Sequence, residues 1–241
     1  MCGRYALIDG KKVLVSFTAL NKTKNTEQAF RELPRYNAAP MQRLPVFAIR
    51  HDELIAEPMQ WWLIPHWSKD GKPGFSSFNA KAETLDQSKL FSPYFKGSRC
   101  LIPADAFYEW QRVTATQEVR GGQKKVEEKH PMCVRMNNDA PFLFAGLFSI
   151  WKDAEGNERP TFAIITTEPN ELMAPIHRRM PVVLPEQHIE QWLDRSHNDT
   201  DHLKKLLVPY SAKKMKAYRV SPLVSNPRND AAECMQPEEH S

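Results

Sequence analysis

At 241 residues, 41% hydrophobic and 26% charged, the chain has an ordinary globular composition and enough length to bury a sizeable core. Its longest apolar run, at 141–151, falls far short of the roughly 20 residues that span a bilayer. No basic segment followed by an apolar stretch opens the chain, so neither a membrane span nor a signal peptide is expected. The net charge of +4 points only weakly to a polyanionic partner and leaves room for one local basic groove. Four scattered cysteines (Cys2, Cys100, Cys133, Cys234) without a CxxC pair argue against a zinc site or a disulfide framework, and fit a reducing cytoplasm.

In chain order, residues 11–20 place Val13, Leu14, Phe17 and Leu20 on one side of a helix. Residues 44–50 and 54–65 are short, apolar and bounded by Pro, Asn or Asp, and read as strands. The same holds for 99–110, 131–136, 142–151, 160–168 and 180–185. Between them, the polar stretch 114–130 with Gly121-Gly122 at its centre predicts an exposed hairpin tip. Helical spacing returns at 185–194, where Pro185 and Glu186 suit a first turn, and again at 199–208. From 226 onward the chain is polar and is expected to be loosely held. With no repeat or clear linker, residues 1–235 are expected to form one strand-rich domain, followed by a polar tail at 236–241.

Cys2 has a chemistry that the other cysteines lack. Aminopeptidases remove an initiator Met when a small residue follows, which would leave an α-amine and a thiol on neighbouring carbons. With reference pKa values near ~7.7–8 and ~8.5, both reactive forms are present at neutral pH. Such a 1,2-aminothiol condenses with an aldehyde to an imine and then closes a thiazolidine in an intramolecular step. Further along, Asn37 lies between an extended segment and Pro40, where an amide orients a loop or reads a ligand. Among the three tryptophans of 61–67, Trp61 is expected in the core, and Trp67, in a turn after Pro65, offers a stacking face.

In ADAFYEW (104–110), alternation places Asp105, Phe107 and Glu109 on one face and Ala106, Tyr108 and Trp110 on the other. A carboxylate among aromatics is either ion-paired or tuned upward for acid–base work. His177 precedes two arginines that could bind phosphate, and Asn79 and Lys81 precede a helix start.

Taken together, MCGRY, RYNAAP, PMQW with PHW, FNAKAET, FYEW, IHRRMP and RVSPLVSNPRND resemble, in this order, the SOS-response-associated peptidase family. That family comprises abasic-site processing proteins, and the resemblance runs from residue 1 to about 235. It implies an α+β fold, a curved and mostly antiparallel, barrel-like sheet flanked by helices. It further implies that Cys2, once exposed, captures the ring-opened aldehyde of an abasic site in single-stranded DNA as a thiazolidine. Asn79 would position the opened sugar and the amine, Glu109 would handle protons beside the ring, and His177 would act on the sugar oxygen. Arg4, Lys81 and Arg179 would hold flanking phosphates, with Asn37 and Trp67 near the DNA path. A self-processing activity would release Met1 or the cross-link. No metal or organic cofactor is implied, and the protein would act as a monomer in the cytoplasm, at the nucleoid when on DNA.

Two positions depart from the family pattern. Lysine stands at Lys81 where relatives carry arginine, and lacks the bidentate fork that clamps a phosphate. If Lys81 were desolvated, its amine could form a competing imine and promote strand cleavage. Trp62 stands where relatives carry glycine. Two other function classes are compatible with the residues: an N-terminal-nucleophile cysteine amidase, and a non-catalytic single-strand-binding module.

Overall fold

The computed structural model describes residues 2–74, 76–119 and 122–238. It contains β1 (Tyr5–Leu7), β2 (Arg35–Ala38), β3 (Arg43–Arg50), β4 (Glu53–Trp61), β5 (Asn79–Lys81) and β6 (Arg99–Ala104). These are followed by β7 (Ala106–Val119), β8 (Gly122–Met136), β9 (Phe142–Lys152), β10 (Glu158–Thr167), β11 (Met180–Pro181) and β12 (Met215–Arg219). Short helices, among them α1 (Gly10–Ser16), flank the sheets.

The strands form two sheets, and the expected α+β, mostly antiparallel architecture is present. In one sheet the order is β12-β8-β7-β1-β2. In the other, β4, β3, β6 and β9 follow one another from β10, and β9 pairs with β10 again, so that this ring of strands closes into a barrel. Closure leaves no free edge within the ring. Phe47, Trp61, Leu101, Phe144 and Phe162 are fully buried members of the main core. A smaller cluster of Ala6, Ala106, Tyr108, Cys133, Val220, Val224, Cys234 and Met235 lies apart from it.

α1 starts where Asp9 accepts hydrogen bonds from the backbone N–H groups of Lys11 and Lys12, as an N-cap should. Val13, Phe17 and Leu20 are buried as their spacing predicts, although the helix ends at Ser16 and a separate turn carries Leu20.

Three expectations are corrected. The strand expected over 99–110 breaks at Asp105, where the chain passes from one sheet to the other. Asp105 donates its N–H to Ala6 O, and its carboxylate accepts the Ile8 N–H at 2.7 Å, which ties the corner to β1. The strand expected to run to residue 65 stops at Trp61, because Trp62 has φ +131°, a conformation that turns the chain out of the sheet. Residues 226–238 are not loosely held. Asp230 accepts the N–H groups of Tyr36 and Asn37 at 2.6 and 2.9 Å, Cys234 is buried, and Glu238 donates its N–H to Arg219 O.

The polar stretch 114–130 belongs to a long two-stranded arm, paired from Phe107↔Val134 out to Val119↔Gly122; its tip residues 120–121 lie outside the described residues.

Candidate active site

β1 is short, and its N-terminal extension lies along β7, where Tyr108 donates its N–H to Arg4 O at 3.0 Å. This brings Cys2 into the core, fully buried, with its carbonyl accepting a 2.8 Å hydrogen bond from Asn79 Nδ2. Asn79 is placed by β5, which pairs in parallel with β10 so that Asn79 stands opposite Ile164. The other end of the Asn79 amide, Oδ1, is buried and has no hydrogen-bond partner among the described residues. Burial pushes the Cys2 thiol well above its ordinary value, and Glu109 adds to the shift.

Glu109 comes from β7, opposite Met132 of β8, and is 3% exposed. Desolvation raises its carboxyl to about 7. His177 Nδ1 lies 3.6 Å from Glu109 Oε1, an approach looser than a hydrogen bond. The same nitrogen lies 3.0 Å from Arg179 O and 3.2 Å from Arg179 N, so the Arg179 backbone holds the ring whichever nitrogen carries the proton. Burial lowers the His177 pKa, and the nearby Arg178 and Arg112 charges act in the same direction. His177 is held by a tight turn in which its N–H bonds Met173 O, and Asn170 Oδ1 accepts the Met173 N–H.

Glu109 and His177 line an open cleft of about 440 Å³ with Trp110, Arg112, Lys129 and Ser225. It lies at the edge of β7 beyond its pairing with β1, which ends at Tyr5↔Phe107. Trp110 donates Nε1–H to Ser225 Oγ at 3.0 Å, and the Arg4 guanidinium lies 5.8 Å from the centre of its ring. Arg4 also donates to Val224 O at 2.7 Å and to Asn37 Oδ1 at 3.4 Å.

Arg179 sits at the start of β11, beside Thr166, and forms a bidentate pair with Glu83 at 2.7 and 2.9 Å. Burial would raise the Glu83 carboxyl, but the Arg179 bonds outweigh it and hold the group below its usual value. Lys81, opposite Thr166 on β5, is exposed. The desolvation on which competing imine chemistry at Lys81 depends is therefore absent.

Two of the expected contacts lie elsewhere. Asn37 is fully buried, and its Nδ2 reaches the carbonyls of Val224, Asn226 and Asn229 at 2.8–3.0 Å. Its amide is spent inside the protein, so it holds Arg4 and the 224–229 segment rather than meeting a ligand. Trp67 is 49% exposed and stacks on Tyr94 at 5.9 Å and 15°, with a free face to solvent. It belongs to the loop after β4 and makes no contact with the Cys2 group. Tyr5, Trp110, Asn170 and Asp230 were not singled out by sequence reasoning. Tyr5, Trp110 and Asp230 lay inside quoted motifs, whereas nothing in sequence marks Asn170; the buried Tyr5 hydroxyl has no hydrogen-bond partner among the described residues.

The model of the SOS response associated peptidase family matches residues 1–227. The chain belongs to this family. It is 37% identical to the abasic site processing protein YoaM of Bacillus subtilis, over all of both chains. It is 38% identical to YoqW of Bacillus phage SPbeta, covering 98% of this chain and 99% of that protein, and 32% identical to rat HMCES, covering 85% and 65%. Both bear the same description, abasic site processing protein. A solved structure from Bacteroides thetaiotaomicron superimposes with a TM-score of 0.79 at 24% identity, over 99% of this chain and 100% of that one. A phage-related protein from Bordetella bronchiseptica gives a TM-score of 0.64 at 25% identity, over 91% and 94%. These two structures share the overall fold of this chain. Among the described residues, no group of His, Cys, Asp and Glu is placed to hold a metal ion.

Proposed function

We propose that this protein processes abasic sites in DNA, and that it captures the abasic aldehyde covalently through Cys2 after Met1 is removed. The observation that carries this reading is the convergence of Cys2, Asn79, Glu109 and His177 at one end of β7, in a family whose relatives are described as abasic site processing proteins.

The order of steps follows from the tuning of the groups. The buried thiol is held protonated, so the freed α-amine attacks first, forming a carbinolamine and then an imine with loss of water. Addition of Sγ to the imine carbon forms the C–S bond and closes the ring, and the thiol proton ends on the ring nitrogen. Glu109, with a pKa of about 7, takes and returns protons through both steps and through their reversal. His177 protonates or hydrogen-bonds the sugar ring oxygen as the hemiacetal opens. The unpaired Asn79 Oδ1 accepts a hydrogen bond from the amine or a sugar hydroxyl. Arg4 and Lys81 meet flanking phosphates, and Arg179 does so by exchanging its Glu83 partner. Trp67 stacks on a base farther along a single strand. Reversal by the same groups, or hydrolytic self-processing, would release the protein.

Denaturing-gel cross-linking to single-stranded DNA with one abasic site, after mass spectrometry of the N-terminus, tests this reading. A heat-stable adduct is expected with Met1-processed protein, and none with Cys2→Ala. An equal adduct from Cys2→Ala would sink the covalent step.

A further inference from the structure

The β7–β8 arm leaves the body of the protein beside the cleft, and its first exposed rung is Arg112 of β7 opposite Lys129 of β8. Register places Trp110, Arg112 and the Pro131 and Lys129 positions facing them on one side of the arm. Like charges directly opposite each other on antiparallel strands repel, so this rung costs stability unless an anion lies across it. Glu127, on the next rung of the same side, pairs with Arg112 at 3.0 Å. Lys129 makes no ion pair among the described residues. Both cations line the cleft that holds Glu109 and His177, and Arg112 is close enough to His177 to lower its pKa. Of the charged groups that line this opening, the exposed ones, Arg112 and Lys129, are basic, and the acid, Glu109, is buried.

We propose that Arg112 and Lys129 form a phosphodiester-binding subsite, which guides the DNA strand from the reacting nucleotide onto the base of the arm. This inference rests on the abasic-DNA reading above and adds to it a direction for the strand. Arg112 exchanges Glu127 for a phosphate, and Lys129 supplies a second, unneutralised charge. Both are exposed, so substituting them leaves the fold intact.

The test uses the full chain and a single-stranded oligonucleotide with a tetrahydrofuran abasic analogue, which has no aldehyde and reports non-covalent binding alone. Fluorescence anisotropy over about 50–200 mM salt gives the slope of log affinity against log salt. The Arg112→Gln/Lys129→Gln variant should lose about 1.4 from the magnitude of that slope, the value for two single-strand phosphates. Arg112→Lys alone should retain the wild-type slope. A control of equal charge, Lys24→Gln/Lys152→Gln, should leave it unchanged. Lys152 pairs with Glu158 at the opposite end of β10 from Thr166, roughly 26 Å away at strand rise. A wild-type slope in the double variant would overturn the subsite. A reduced slope, together with no Cys2-dependent adduct of the wild type on aldehyde-bearing DNA, would retain the phosphate site and reject the capture reading.

Discussion

Two buried asparagines flank the N-terminal segment, and the protein uses them in opposite ways. Asn37 has its amide saturated: three carbonyls take its N–H groups and Arg4 reaches its oxygen. Asn79 grips the Cys2 carbonyl with its nitrogen and leaves Oδ1 buried and unpaired among the described residues. A buried polar atom without a partner costs free energy, which a hydrogen bond from the amine or a sugar hydroxyl would offset under the proposed function. The Asn37 region is a clasp that fixes the C-terminal segment against β2, and the Asn79 region is, under the proposed function, where the substrate binds. Identical side chains at nearly identical burial differ in role because of the accounting around them.

The largest expected effect is on the open side. Glu109→Gln should slow adduct formation by about 100-fold or more, as expected for loss of a positioned acid–base group, in a time course at saturating DNA. The same substitution should stabilise the protein at alkaline pH. The folded-state value of about 7 lies above the unfolded value near 4.5, so between these the folded state binds more protons. Wild-type stability should therefore fall as pH rises from about 4.5 to about 7 and level off above. Glu109→Gln should be equal to wild type near pH 4 and more stable by roughly 3 kcal/mol at pH 8. Denaturant melts at the two pH values check this, and a gap of the opposite sign would mean that the carboxylate is stabilised by its surroundings.

On the closed side, Asn37→Ala should cost about 3 kcal/mol by stranding its carbonyls, a fall in Tm of roughly 6–12 °C. Asn79→Ala should cost only about 1 kcal/mol, since one hydrogen bond is lost, yet slow the cross-link by about tenfold or more. If calorimetry ranks the two in reverse order, the distinction between clasp and site collapses. The smallest effect concerns Trp62, whose φ of +131° is a conformation favouring glycine. Its indole packs on Phe78 and donates to Gly74 O at 2.9 Å. Trp62→Gly and Trp62→Ala both lose those contacts, but only glycine relieves the backbone. The glycine variant should be the more stable by about 1 kcal/mol.

Much of this was legible in the sequence, because alternation is a local property. The run from Asp105 to Trp110 sorted Phe107 and Glu109 from Tyr108 and Trp110, and the structure puts Phe107 in the main core and Tyr108 in the smaller one. What failed was long-range. Nothing in 99–110 announces that Asp105 bonds Ile8 and turns the chain between sheets. The polar composition after residue 226 read as loose because its partners, Asn37 and the Tyr36 N–H, lie almost 200 residues earlier. Asn37 was recognised as notable, but only the fold could show that its amide faces carbonyls of the same chain.

The central claim is that Cys2 uses both its amine and its thiol, and borohydride dependence tests this most directly. Met1-processed wild type should give a heat-stable adduct with abasic single-stranded DNA without reductant, its mass equal to protein plus DNA less one water. Cys2→Ser and Cys2→Ala should give an adduct of comparable stability only when borohydride traps the imine. A reductant-independent adduct of equal yield from Cys2→Ala would contradict the claim and place the reactive group elsewhere in the chain.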